Sequence, residues 1–298
     1  MEIQFQPITL ADRARINAYF SAQYCENAHF TFTNLFMWRE AYHIEWAEYK
    51  NCLLIKAAWE DEEYGLQPFG MEENVRAVMD DWIAYFKDQK QPFIMRGVEK
   101  KVAEWVQEAY PSARIESDRD DFDYVYLRED LAELKGRKYH GKKNHINALK
   151  KTCEYEYVPV SENNIDECIL SIREWCRQRE CYKDPVLSAE RKAIFEVLEH
   201  FRELELVGGA IKINGKIEAL TFGEMLNTDT AVIHVEKGNA DIRGIYPLIN
   251  QEFCLHAWEG ATYINREEDM GVEGLRKAKE SYRPCHMVEK HVITILKF

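Results

Sequence analysis

The sequence has no apolar run near the roughly 18 residues that a membrane-crossing helix needs. It reads as a chain that does not span a bilayer by itself, with a transient membrane-surface contact left open. Its opening, MEIQFQPITLADRAR, has no apolar stretch behind a basic one, so no secretory leader is read there and a cytoplasmic location is expected. C-x-x-C and zinc-knuckle spacings are absent. The eight cysteines (Cys25, Cys52, Cys153, Cys168, Cys176, Cys181, Cys254, Cys285) are scattered and read as reduced thiols, several of them core filler. Cys176 and Cys181 approach His200 in sequence only, so no metal site is expected. The G-x-S-x-G elbow, H-E-x-x-H and the Walker loop are missing, which leaves no covalent serine route, zincin site or P-loop in view. Positive charge is short, with 39 Lys+Arg against 52 Asp+Glu and a formal charge of −13. Such a chain repels polyanions on average, so any such contact must come from a local basic patch.

What is present suits an ordinary globular protein of two domains: 298 residues, 46% hydrophobic, 31% charged and 12% aromatic. In the first half, helical spacing is read over 10–22 and through Val75, Val78, Met79, Trp82, Ile83 and Phe86. Strands are read within 43–58 and at 93–95, and another helix over 100–109, ending before Pro111. The acidic stretch 118–121 marks a boundary, giving domains 1–118 and 119–298. The second domain reads as strand 122–127, basic helix 137–151, strand 155–158 and two amphipathic helices. A hairpin around Asn214-Gly215 follows, then strand 230–237, a helix opening at Pro247, strand 261–265, a helix over 272–282 and one or two closing strands.

From residue 155 onward this order resembles the GNAT acyltransferase fold, and the first half runs through a similar one. The expectation is an α/β protein of tandem GNAT-like units, each a mixed sheet flanked by helices, the first degraded. In GNAT enzymes the strand–loop–helix junction corresponding to His234–Asn250 holds the pyrophosphate of coenzyme A on helix-terminal N–H groups. Counted from Gly244, this sequence places Asp241 where a phosphate-binding Gln or Arg is usual and Tyr246 where a small residue is usual. Asp241 repels phosphate and Tyr246 obstructs close backbone approach, so the architecture is kept and the phosphate chemistry is damaged.

Further along, Asn265, Asp269, Gly271, Gly274-Leu275-Arg276, Lys279 and Pro284 form an N…D-x-G…G-L-R-x-x-K…P pattern. Together with Glu236-Lys237, Gly244-x-Tyr246 and Ile249-Asn250, it resembles the C-terminal domain of phosphatidylglycerol lysyltransferases. The resemblance implies a Fem-like fold and transfer of an aminoacyl group from charged tRNA. In the full-length synthases a membrane domain supplies the lipid acceptor, and no such domain is read here, so lipid, peptide or small-molecule acceptors stay open. The donor, aminoacyl-tRNA or acyl-CoA, is a substrate, and no resident cofactor is expected.

At an aminoacyl ester the acceptor must lose a proton, an oxyanion must be stabilised and the reactants must be held together. Glu236 and Asp269 are candidates to orient or deprotonate the acceptor, and Lys237, Arg243 and Lys279 to stabilise charge. Asn265, Gly244, Tyr246 and Arg276 are candidate substrate-binding residues. Each has a plainer alternative: a solvent-facing strand residue for Glu236, a helix N-terminal carboxylate for Asp269, a surface lysine for Lys279. The segment 135–151 reverses the chain's charge with seven Lys/Arg and no acid. It reads either as a solvated helix face or as a tRNA contact through Lys138, His140, Lys142, Lys143, Lys150 and Lys151. The rival functions are an acyl-CoA-dependent N-acyltransferase and a non-catalytic binding protein of the same fold.

Overall fold

The computed structural model describes residues 2–178 and 180–296. In chain order the first elements are β1 (Gln6–Pro7), α1 (Arg13–Phe20), α2 (Phe32–Trp38), β2 (Glu45–Tyr49), β3 (Cys52–Trp59) and β4 (Glu62–Leu66). Then come α3 (Glu72–Asp88), β5 (Phe93–Val98), α4 (Lys100–Ala109), β6 (Arg114–Ser117), β7 (Asp123–Leu127), α5 (Arg128–Glu133) and α6 (His140–Thr152). The chain continues with β8 (Tyr155–Pro159), α7 (Ile165–Gln178), α8 (Pro185–Glu199), β9 (Val207–Ile213), β10 (Lys216–Met225) and β11 (Thr230–Gly238). It closes with α9 (Ile245–His256), β12 (Tyr263–Asn265), α10 (Glu273–Glu280), β13 (His286–Val288) and β14 (His291–Ile295). These form two compact units that are not contiguous in sequence. The first holds residues up to Asp123, Glu268–Val272 and the segment from Val288; the second holds Tyr124–Glu267 and Glu273–Met287. The reading of 119–298 as one domain thus differs at its end, because the closing strand belongs to the first unit.

The first unit is a seven-stranded mixed sheet in the order β1-β2-β3-β4-β5-β14-β6. β4 and β5 are parallel, joined by α3, as a β–α–β crossover requires. The helical spacing read from Val75 to Phe86 holds: Val78, Met79, Trp82, Ile83 and Phe86 are buried in one core with Phe93, Met95 and Val98, and Val75 packs against it partly buried. β14 lies between β5 and β6, antiparallel to both, and buries Ile293 and Ile295 in that core. Past the parallel pair, polar side chains bond to the strands and to one another. Asn27 donates to the Gly97 carbonyl at 2.9 Å, and Gln67 exchanges two 2.9 Å hydrogen bonds with Glu99. Glu72 and Glu73 occupy the first turn of α3, where an anionic ligand would need positive potential.

The second unit is also a seven-stranded mixed sheet, in the order β13-β7-β12-β11-β10-β9-β8. The β9–β10 hairpin turns at Asn214-Gly215, both at positive φ (51° and 77°), which an L side chain at Gly215 would resist. β11 runs parallel to β12 over three residue pairs only, Thr230↔Tyr263 to Val232↔Asn265. From Ile233 onward it keeps β10 alone, so the sheet forks at its centre. Period-two alternation along β11 sends Glu236 to one face and Lys237 to the other. α9 packs on the Glu236 face beside α5 and α6. Its first turn starts at Ile245, two residues before the Pro247 that the sequence suggested.

Candidate active site

Glu236 is the one residue of the catalytic set read from sequence that the structure places at the fork. Its carboxylate is almost buried and fully engaged. Oε1 accepts from Arg266 Nη2 at 3.0 Å and Oε2 accepts from Asn250 Nδ2 at 3.2 Å. Arg266 follows β12 directly, and Asn250 faces the strand from α9. The Arg266 guanidinium lies 4.8 Å from the Tyr282 ring centroid and 5.8 Å from that of Tyr126, a stacked cation in an apolar surround. Two buried atoms of this cluster, Arg266 Nη1 and Asn250 Oδ1, have no protein partner.

Lys142 completes the cluster. It comes from α6, but the helix aims it inward, and its Nζ sits 3.9 Å from the Tyr282 ring centroid. Burial and the neighbouring Arg266 lower its pKa to about 8, against a smaller upward pull from Glu236. A second bridge crosses the fork nearby. His234, on the Glu236 face of β11, joins Glu224 (2.9 Å) and Glu267 (3.0 Å) through its two ring nitrogens. Burial alone would lower its pKa, but the two carboxylates outweigh burial and raise it to about 9.

The remaining candidates sit elsewhere. Lys237, on the opposite face, pairs with Glu190 of α8 at 2.7 Å. Asn265 accepts from the Glu267 N–H at 2.7 Å. Buried Lys279 donates to the carbonyls of Arg266 and, at 3.0 Å, Glu267, and its own carbonyl accepts from Tyr126. These two motif residues fold the loop that presents Arg266. Asp269 belongs to the first unit, where it is fully buried, caps the Gly271 N–H at 2.9 Å and faces Arg119 at 3.7 Å. Its geometry is that of a turn-forming carboxylate. Arg276 is half-buried on α10.

At the start of α9, Gly244 is the N-cap at φ +96°, and a Cβ there would lie 2.6 Å from the His145 carbonyl oxygen of α6. Arg243 donates to His145 Nδ1 at 3.2 Å, and the Tyr246 hydroxyl donates back to the Gly238 carbonyl at 3.1 Å. The glycine therefore admits the close approach of a neighbouring helix. On the basic segment, Lys138 pairs with Asp130 at 2.9 Å and Lys150 with Glu252 at 3.6 Å, while His140 and Lys151 are exposed and Lys143 is half-exposed. The described residues hold no group of three His, Cys, Asp or Glu side chains placed for a metal, and no helix long and apolar enough to cross a membrane. All eight cysteines are free thiols.

Two GNAT-like sheets in tandem, the second forked at its parallel pair over a buried polar cluster, define an acyltransferase-type fold. The chain belongs to the phosphatidylglycerol lysyltransferase C-terminal family, which matches residues 22–294. It is 38% identical to a conserved protein of unknown function from Bacteroides thetaiotaomicron VPI-5482, covering 99% of this chain and 100% of that one at a TM-score of 0.93. The structure of L-PGS from Bacillus licheniformis is similar at a TM-score of 0.66 and 14% identity, covering 95% and 91% of the two chains. A tandem GNAT protein from the clavulanic acid biosynthesis pathway shares the fold at a TM-score of 0.52 and 10% identity, covering 99% and 98%. No curated protein matches the sequence.

Proposed function

We propose that this protein is an aminoacyltransferase that moves an aminoacyl group from charged tRNA to an amine or hydroxyl of a lipid, peptide or small-molecule acceptor. The observation that carries the reading is the Glu236–Arg266–Asn250–Lys142 cluster at the fork of the second sheet. Attack on the aminoacyl ester forms a tetrahedral intermediate whose oxyanion needs a positively charged donor. Arg266 supplies one, with one N–H direction unused and the guanidinium locked by Glu236. Glu236 fixes Arg266 and Asn250 and accepts the proton the acceptor loses. That proton returns to the ribose oxygen of the tRNA as the ester bond breaks. The role first given to Lys237, Arg243 and Lys279 thus passes to Arg266 and Lys142.

The tRNA would run along the outer face of α6, past Lys143 and Lys151. Family membership and the packing of Gly244 on α6, with Asp241 beside it, weigh for this reading over an acyl-CoA donor. A cytoplasmic enzyme, with the tRNA donor as substrate and a passing contact with a membrane surface, is part of the same proposal.

The test is to incubate the protein with a mixed pool of radiolabelled aminoacyl-tRNAs and follow label into lipid, peptide and small-molecule fractions. Label should leave the tRNA for one fraction, and Arg266→Lys should slow this by about a hundredfold, the scale of losing one oxyanion donor. Label that stays on tRNA, together with acetylation from acetyl-CoA at the same site, would overturn the proposal.

A further inference from the structure

Charge in the cluster does not balance. Its one carboxylate, Glu236, is already held by Arg266 on one oxygen and Asn250 on the other. Against it stand two cations, Arg266 and Lys142, that share the Tyr282 ring at 4.8 and 3.9 Å from its centroid. Lys142 Nζ has three N–H donors and, among the described residues, no hydrogen-bond acceptor; its contact is the face of that ring. Arg266 Nη1 is buried with no partner. The groups facing Lys142 are Tyr282 after α10, Arg266 after β12 and Glu236 from β11. None of them offers it a second carboxylate.

We infer that Lys142, backed by Arg266, is a recognition point for an anionic oxygen group of the substrate, a carboxylate or a phosphate. A cationic lysyl side chain is therefore not the group this cluster admits. The inference rests on the acyl-transfer reading for the word substrate alone; the anion site itself follows from the geometry. An incoming ammonium would meet a carboxylate already paired with Arg266 and two like charges beside it, and like charges in a half-buried site repel strongly. An oxyanion instead completes the donors of Lys142 and restores the missing negative charge. This narrows the substrate class away from the lysyl group in the family's name. The oxyanion belongs either to an acidic or carboxylate-bearing reactant or to a phosphate of the donor.

Because anion binding favours the charged amine, Lys142 itself reports it. Acetic anhydride acylates neutral amines, and near pH 8 about half of Lys142 is neutral. An anion that raises its pKa by one unit leaves about a tenth neutral and slows labelling roughly fivefold. Labelling of Lys142, normalised to that of exposed Lys192 so that anhydride consumed by the added solutes cancels, would be followed by peptide mass spectrometry at pH 8 in sodium chloride, sodium phosphate, sodium acetate or L-lysinamide hydrochloride, at matched ionic strength. Slowing in phosphate identifies a phosphate source and slowing in acetate a carboxylate source; lysinamide should leave the chloride rate unchanged. Arg266→Lys should weaken the protection, and if that variant does not fold the parent series alone decides. Protection by lysinamide, or no protection by either anion beyond chloride, overturns the inference. The measurement needs no turnover, so anion protection without aminoacyl transfer would sink the functional reading and spare this one, and transfer without protection would do the reverse.

Discussion

At the scale of single residues, His234 carries the sharpest prediction. It is buried between Glu224 and Glu267, and its pKa is raised to about 9. A group whose folded pKa lies above the ordinary 6.5 stabilises fully below that value and loses its contribution as pH rises through about 9. The gap in urea-denaturation stability between the parent and His234→Gln should therefore shrink by about 3 kcal/mol from pH 6 to pH 10. Lys142, displaced downward, contributes with the opposite sign and cancels in that difference. A gap that is flat or grows with pH would mean the imidazole is neutral. Residue identity alone misled in both directions here. Gly244 was read as a substrate-binding glycine, but the structure gives it another neighbour, the His145 carbonyl about a hundred positions away, which no local pattern names. Arg266 was missed although it stands next to Asn265. A lone arginine ending an apolar strand gives no local sign that a glutamate thirty residues earlier will hold it.

At the scale of elements, α6 shows what periodicity reveals and what it hides. Its basic charge was legible, but which lysine turns inward depends on where α9 and Tyr282 lie, and that is tertiary information. Exposed Lys151 and half-exposed Lys143 are, with exposed His140, the ones left for phosphates. Replacing both with Ala should flatten the log–log salt dependence of tRNA filter binding by about 1.4 to 1.8, at 0.7–0.9 per contact. An unchanged slope would make this face a solvated one. Elements of the second sheet were legible where a local signal was strong, as at the Asn-Gly turn of the hairpin and at Pro247 near the start of α9. α2, β4 and β6 were not. β4 and β6 are short, and β4 ends in Tyr64-Gly65-Leu66, where Gly65 has no side chain to mark a face and is instead filled by Trp82.

At the scale of the whole molecule, the tandem arrangement was legible from the repeated element order, whereas the path of the chain was not. Nothing in the closing segment distinguishes a strand for one sheet from a strand for the other; both need alternating apolar residues. β14 enters the first sheet between β5 and β6 and buries Ile293 and Ile295, each worth roughly 1.5–3 kcal/mol of burial. Ending the chain after Met287 should leave residues 124–267 resistant to limited trypsin digestion while the first 120 residues are cut rapidly, with the parent resistant throughout. Equal resistance of both segments in the shortened chain would show that β5 and β6 close the sheet without β14.

The position of β14 also sets an order of events during synthesis. A ribosome making this chain releases β5 and β6 early and β14 only after every strand of the second sheet has emerged. The second unit can complete its sheet while the first waits with β5 and β6 unjoined, each offering open backbone N–H and C=O groups to any passing strand. The nascent protein thus carries an exposed β-edge from the release of β5 until β14 emerges, and chaperone demand should concentrate on its first 120 residues. Slowing elongation anywhere in the second unit would prolong that exposure and lower the yield of folded protein, with no change in the stability of the finished molecule.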